Sequence, residues 1–336
     1  MNNLLSRNKI LLCMLILVML SVLVSQSVLA QDKIVIKYAD FHPLDTINYE
    51  SQLLFKEILE QKVGDKVEVK LYPGGQLGAQ RDLIEQVKLG TIDMTFGNPP
   101  YFSNLIPAFG VMDLPYIFND YYHIERVVAG EVGSMLNDLL IKQEGMRILG
   151  WFHIGFRDMI TSKTPIRKIE DFKGVKFRSP EVSTYINMFK ALGATPTPIP
   201  WTDVYQAMQT KLVDGLETSP EGMTSTKVYE VGKYVTLTNH INTVECPTIN
   251  EAFYQSLPED VKQALHETMD LLVPWQRYKV IRKNIEAIQE LKDQGCEIIE
   301  IDVTPLRKAC ETVWEQFKEQ SPLAETLIEK IDLLRD

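Results

Sequence analysis

Cysteine is scarce in this chain, with four among 336 residues, at positions 13, 246, 296 and 310. That spacing is too wide for a disulfide-stapled scaffold, and the lack of any Cys-x-x-Cys or Cys/His cluster excludes a zinc module. Cys246, Cys296 and Cys310 read as buried or near-surface thiols, with a Cys296 to Cys310 bridge as the alternative in an oxidising compartment. Also missing are a Gly-x-Ser-x-Gly elbow, a His-Glu-x-x-His pair, a Walker loop and a dinucleotide fingerprint; Gly74-Gly75-Gln76-Leu77-Gly78 is wrongly spaced for the last. The five histidines, at 42, 123, 153, 240 and 266, form no ligand pair at helical spacing, and each reads as a surface or satisfied structural histidine. No metal and no cofactor is therefore expected. Positive charge is in deficit, 35 Lys and Arg against 45 Asp and Glu, so the surface should repel nucleic acid and anionic lipid.

What is present begins with an export signal at residues 1–30. Arg7 and Lys9 form a positive start, Ile10 to Val24 is almost wholly apolar, and Ser25-Gln26-Ser27-Val28-Leu29-Ala30 supplies small residues before the polar Gln31-Asp32-Lys33. The apolar run falls short of the roughly 20 residues that span a bilayer, so cleavage near Gln31 is expected rather than an uncleaved anchor. Loss of the signal removes two bases and no acid, leaving a net charge of −12.

The remaining length fits two domains. One stretch alternates as a strand from Lys66 to Tyr72, turns at Pro73-Gly74-Gly75, continues as a helix from Arg81 to Leu89, and returns as a strand from Gly90 to Phe96 before Gly97-Asn98-Pro99-Pro100. A second repeats the grammar: a strand at Gly174 to Arg178, helices at Thr184 to Leu192 and Thr202 to Lys211, then a strand at Leu212 to Glu217 ending in Thr218-Ser219-Pro220. Such units build parallel sheets that receive ligands at the carboxyl ends of their strands. The expected fold is α/β and two-lobed, like a periplasmic binding protein, with a ligand cleft between the lobes. Lobe I is assigned to 31–152 plus 244–282 and lobe II to 153–243 plus 283–336, joined through Phe152 to Gly155 and Thr243 to Cys246.

No Gly/Ser-rich or Pro-rich linker separates the halves; a long bracing helix is expected instead. Ser256-Leu257-Pro258-Glu259 reads as its capping box. Val261, Leu265, Met269 and Leu272 mark its apolar face, which Ile281, Ile285 and Ile288 continue beyond a kink at Pro274. About 36 residues at 1.5 Å each reach roughly 54 Å, enough to touch both lobes.

Two arginines draw attention. Alternation in Val175-Lys176-Phe177-Arg178 puts Arg178 on the opposite face from Val175 and Phe177, at a strand end where a guanidinium can clamp a carboxylate with two hydrogen bonds. Arg157, in Gly155-Phe156-Arg157-Asp158, is equally consistent with a surface ion pair.

The segments Tyr72-Pro73-Gly74-Gly75-Gln76-Leu77-Gly78, Asp113-Leu114-Pro115-Tyr116, Asp171-Phe172-Lys173-Gly174-Val175-Lys176-Phe177-Arg178, Ala191-Leu192-Gly193-Ala194 and Val204-Tyr205-Gln206-Ala207-Met208 follow one another in an order that resembles the DctP-type solute-binding proteins of tripartite ATP-independent periplasmic (TRAP) transporters. The resemblance runs from about residue 34 to 320. It implies a receptor that closes on a small organic acid and delivers it to a four-helix and a many-helix membrane subunit. It also implies that Arg178 binds the ligand carboxylate with help from Arg157, that Asn98 and Tyr101 contact the distal part of the ligand, and that Trp201 forms an aromatic wall. Glu181, three residues after Arg178, is expected to face the same cleft. One departure stands out: many relatives have Glu-Asn-Pro where this chain has Glu217-Thr218-Ser219-Pro220, so Thr218 offers one hydroxyl donor in place of two amide donors.

These readings lead to a non-enzymatic periplasmic receptor for a monocarboxylate such as a uronate or other sugar acid. An aromatic or branched keto acid and a C4-dicarboxylate are the competing ligands. The competing class is an exported enzyme using Glu181 or Glu217 for proton transfer beside Arg178.

Overall fold

The computed structural model describes residues 33–335. The export segment at 1–30 lies outside the described residues. The strands are β1 (Ile34–Ala39), β2 (Val67–Tyr72), β3 (Met94–Gly97), β4 (Met146–Ile148), β5 (Phe152–Thr161), β6 (Lys176–Ser179), β7 (Thr195–Pro198), β8 (Gly215–Thr218), β9 (Tyr234–Asn250) and β10 (Glu297–Glu300). The helices are α1 (Ile47–Val63), α2 (Gln80–Leu89), α3 (Pro99–Ser103), α4 (Tyr121–Ala129), α5 (Glu131–Glu144), α6 (Ser183–Ala191), α7 (Val204–Gln209), α8 (Pro220–Ser225), α9 (Glu251–Ser256), α10 (Glu259–Asp293), α11 (Thr304–Gln320) and α12 (Ala324–Asp332).

The strands run in the order β2-β1-β3-β9-β5-β8-β6-β7, with β4 and β10 also pairing β9. In each lobe one strand is flanked by parallel partners: β1 lies between β2 and β3, and β6 between β7 and β8. The anticipated strand–helix–strand units are therefore present, and their carboxyl ends carry the Asn98 and Thr218 loops. The continuity between lobes comes from β9, whose 17 residues pair β5 from Tyr234 to Glu245 and β3 and β4 from Cys246 to Asn250. The expected joining segments are thus themselves paired strands, Phe152 opposite Glu245 and Gly155 opposite Thr243. The register shifts between His153 and Gly155.

The bracing helix is present as α10, 35 residues or about 52 Å long. It packs on α1 in the first lobe and on α8 and β5 in the second. Its start differs from expectation. Ser256 belongs to the last turn of α9 and its hydroxyl donates to the Phe253 carbonyl at 2.6 Å, so it caps backward, and α10 begins after Pro258 without a side-chain cap. Val261, Leu265, Met269 and Leu272 are buried as anticipated. Beyond Pro274 the helix continues, but its buried face is Gln276, Val280, Asn284, Ala287 and Leu291, and Ile285 is 70% exposed.

Polar residues face inward there because they hold the backbone that joins the lobes. Gln276 accepts from the His153 amide at 2.8 Å and donates to its carbonyl at 2.7 Å; Asn284 donates to the Ile154 carbonyl at 2.9 Å and accepts from the Glu221 amide at 3.0 Å. Gly155 lies between them at φ +108°, where an added Cβ would sit 2.7 Å from both Asn284 Nδ2 and the Tyr121 hydroxyl, so only glycine fits.

The segment 283–336, expected in the second lobe, divides its contacts. α11 packs on α6, whereas α12 docks on the first lobe through Lys330–Glu131 at 2.7 Å and His123 Nε2 donating to the Ile331 carbonyl at 2.9 Å. The C-terminus thereby straps both lobes. Cys246, Cys296 and Cys310 are all buried free thiols. No helix of the described residues is long and apolar enough to cross a membrane.

Candidate functional site

Between the lobes lies a cavity with about 740 Å³ of space, part of it continuous with solvent. Six of the seven residues expected from the sequence line it: Asn98, Tyr101, Arg157, Arg178, Trp201 and Thr218. Glu181 does not. Pro180 takes the cavity-facing place after β6, and Glu181 instead accepts from Asn104 Nδ2 through its backbone carbonyl at 3.2 Å.

The two arginines are placed on the strands that flank β8, and they differ in kind. Arg157 on β5 is bound bidentately by Glu217 of β8: its Nε donates to Oε2, its Nη2 to Oε1 at 2.8 Å, and Nη2 also donates to the Glu217 carbonyl at 3.0 Å. His240 Nε2 lies 3.3 Å from the same carboxylate. Burial would raise the Glu217 pKa, but the Arg157 charge and its hydrogen bonds, with His240, hold it at about 2. Glu217 is a fixed counterion and is not poised for proton transfer near neutrality.

Arg178, at the end of β6, is 2% exposed and has no acid partner among the described residues. Its Nε donates to the Ile199 carbonyl at 2.8 Å, and its guanidinium carbon lies 5.6 Å from the Trp201 ring centroid. Burial lowers its pKa, and Arg157 pushes the same way; an arginine nonetheless stays charged. A buried cation with its terminal nitrogens toward a cavity is costly unless an anion completes it. Tyr101, Tyr185 and Thr218 line the same cavity. The Tyr185 hydroxyl donates to Asp113 at 3.0 Å, and burial raises the Asp113 pKa to about 8.

The rest of the cavity carries residues that sequence reasoning missed: His42, Asn48, Gln80, Tyr185, Glu221 and Glu245. His42 follows β1 and lies 2.7 Å from Asp40 and 3.3 Å from Glu245. Burial opposes its charge, but Glu245 and Asp40 outweigh burial and raise its pKa well above the ordinary value. His42 is therefore a cavity residue and not an ordinary surface histidine. The signal that could have found it is the one applied to the other strands, since Asp40 to His42 follow the carboxyl end of β1 just as Asn98 follows β3. No group of three or more His, Cys, Asp or Glu suited to a metal ion occurs among the described residues.

A two-lobed α/β fold closing on a cavity with an unpaired buried guanidinium is the arrangement of a binding protein for an anionic solute. The chain matches the DctP family, bacterial extracellular solute-binding protein family 7, over residues 38–320, and it belongs to that family as a TRAP-type solute-binding protein. It is 34% identical to the C4-dicarboxylate-binding periplasmic protein DctP of Rhodobacter capsulatus, over 82% of each chain. Among solved structures it resembles a TRAP periplasmic solute-binding protein of Roseobacter denitrificans with bound β-D-glucuronate (30% identity, TM-score 0.86, 88% of this chain and 98% of that one). A Citrobacter koseri counterpart with bound D-glucuronate is similar at 30% identity and TM-score 0.84, covering 89% of this chain and 98% of that one.

Proposed function

We propose that this protein is the periplasmic receptor of a TRAP transporter for a uronate or similar sugar acid, which it captures unchanged and delivers to membrane permease subunits. The observation that carries the reading is Arg178, a buried guanidinium facing the cavity with no acid partner among the described residues. A ligand carboxylate supplies the missing anion, in a low-dielectric setting where the charged hydrogen bonds are strong. Arg157 adds field rather than a second free fork, because Glu217 occupies its Nε and Nη2. Trp201 gives the ring of the acid a flat wall.

A C4-dicarboxylate, suggested by the name of the Rhodobacter relative, fits less well. It needs a second cation, and His42, the cation lining the cavity besides the two arginines, is held between Asp40 and Glu245. The bound glucuronates of the Roseobacter and Citrobacter structures favour a hydroxylated acid. Capture is proposed to close the lobes about the paired segments at Phe152 to Gly155 and Thr243 to Cys246, with α10 and the C-terminal strap maintaining their alignment.

Calorimetric titration of the mature protein with D-glucuronate, D-galacturonate, succinate and malate tests this. Saturable one-to-one binding of a uronate, with the sugar acid recovered unaltered and the dicarboxylates weak, is expected. Turnover of the ligand, or succinate as the tightest binder, would overturn it. Small-angle scattering should show a more compact particle with saturating uronate.

A further inference from the structure

The cavity has two electrostatically distinct ends. The groups acting most on Arg178 are Tyr101, Glu217, Arg157 and Tyr185, whereas those acting most on Glu221 are His42, Lys283, Glu245 and Asp45. Neither Arg157 nor Arg178 is among the principal influences on Glu221.

At the second end, Glu245 is 2% exposed and receives the Asn48 amide at 2.5 Å and the His42 ring at 3.3 Å. Glu221, on the first turn of α8, is fixed through its backbone amide by Asn284, but its carboxylate has no hydrogen-bond partner among the described residues. Two first-lobe side chains lining the same cavity, each 6% exposed, also carry unsatisfied atoms: Gln80 Nε2 and Asn98 Oδ1. Buried polar groups are normally satisfied, so the open Gln80 and Asn98 atoms, with the partner-free Glu221 carboxylate on the same cavity, mark where a polar ligand belongs. The donors and acceptors are mixed, which suits hydroxyl groups, since each hydroxyl both gives and accepts. Two acids in that wall oppose a second carboxylate.

We propose that Glu221 and Glu245 are the specificity-determining residues of the receptor, accepting hydrogen bonds from the hydroxyls of a polyhydroxy monocarboxylate while disfavouring dicarboxylates. Gln80 and Asn98 join Glu245 in the first lobe, opposite Glu221 in the second, so that hydroxyl recognition is assembled only when both lobes meet the ligand. The inference rests on the sugar-acid reading and refines it. It also gives to Glu221 and Glu245 the cavity-facing place that the sequence analysis expected for Glu181. Burial raises the Glu221 pKa to about 7, yet the side chain stays half-buried on the cavity, where a hydroxyl donor can reach its carboxylate.

The test compares D-glucuronate with cyclohexanecarboxylate, a ring acid of similar outline without hydroxyls, on the mature protein and on Glu221→Gln and Glu245→Gln. Each substitution is expected to weaken D-glucuronate at least about tenfold, since a lost charged acceptor costs more than a neutral one. Cyclohexanecarboxylate should change less than about twofold, and the preference over succinate should narrow. The ligand-free melting temperature of Glu221→Gln should hold or rise, which a merely structural role would not give. Glu221→Asp retracts the carboxylate by one methylene and serves as the second variant should the amide disturb folding; it should also selectively weaken D-glucuronate. Equal losses on both acids, or unchanged D-glucuronate affinity in the variants, would overturn the assignment of Glu221 and Glu245. Failure of the unsubstituted protein to bind any sugar acid would instead refute the proposed ligand class.

Discussion

Arg157 and Arg178 sit on the two strands that flank β8, both nearly inaccessible, yet one is fully engaged and the other is waiting. Glu217 meets Arg157 with a bidentate pair, and His240 backs the carboxylate. Arg178 meets a carbonyl, an aromatic ring and the cavity. The difference teaches how the same residue type can be tied into the fold on one strand and, on the proposed reading, left free for recognition two strands away. A buried cation whose counterion is covalently part of the chain stabilises the fold, whereas one whose counterion must come from outside converts its desolvation cost into ligand affinity.

The largest effect that breaks the comparison is removal of the internal counterion. Glu217→Ala leaves Arg157 buried and uncompensated, and should lower the unfolding free energy by about 3–5 kcal/mol in urea denaturation of the ligand-free protein. Arg178→Met removes a cation that has no internal partner and should cost nothing comparable while abolishing uronate binding. Similar stability losses in the two variants would show that the arginines are not different in kind.

Acid separates them next. Glu217 has a folded pKa of about 2 against an ordinary 4.5, so the folded state binds fewer protons than the unfolded chain between those values. Its contribution is therefore fully present above the ordinary value and is lost as pH falls toward 2, amounting to up to about 3 kcal/mol. Asp158 and Glu221, raised by burial to about 7, slope the other way above pH 4, because their folded forms hold protons longer. Subtracting the pH profile of Glu217→Gln from that of the unsubstituted protein isolates the first contribution. A difference that stays flat between pH 5 and pH 2.5 would contradict the pairing.

Arg178→Lys sharpens the recognition side. The charge remains but the planar fork is lost, so uronate binding should weaken by about 1.5–3 kcal/mol by calorimetry, with the melting temperature little changed. Arg157→Lys should show the reverse balance, since its fork is spent on Glu217. Undiminished affinity in a folded Arg178→Lys protein would remove the clamp from consideration.

These contrasts also explain which parts of the molecule could be read from sequence. The units β2-α2-β3 and β6-α6 carry clear periodicity, and Arg178 ends an alternating strand, so its direction follows from its neighbours. β9 gave no such sign because nearly all of it is buried on both faces, which erases alternation. β7 is masked by Pro196 and Pro198, tolerable only because the strand ends the sheet path. The second half of α10 looked apolar through Ile281, Ile285 and Ile288, but tertiary demand for partners at His153 and Ile154 put Gln276 and Asn284 inward. In the cavity the arginines were legible, whereas His42 and the acids were not. Glu181, Glu221 and Glu245 are chemically equal in sequence, and the turn at Pro180, the start of α8 and the crossing of β9 decide which of them face the cavity.

Trp201 offers the finest division between the two arginines. Its ring lies 5.6 Å from Arg178, while the aromatic near Arg157 is Tyr185, at 5.5 Å. Trp201→Leu keeps an apolar wall but removes the ring quadrupole, worth about 0.5–2 kcal/mol to a nearby cation depending on solvent access. Trp201 also packs against the second, smaller hydrophobic cluster, so part of any stability change belongs to lost burial rather than to Arg178. The informative quantity is therefore affinity, expected to fall about twofold to thirtyfold for D-glucuronate if the ring holds the guanidinium in place and stacks on the sugar. Trp201→Phe keeps a weaker quadrupole and should recover part of that loss. Equal affinities for the Leu and Phe variants would reduce Trp201 to a shape-filling wall, and orientation of Arg178 would then rest on the Ile199 carbonyl alone.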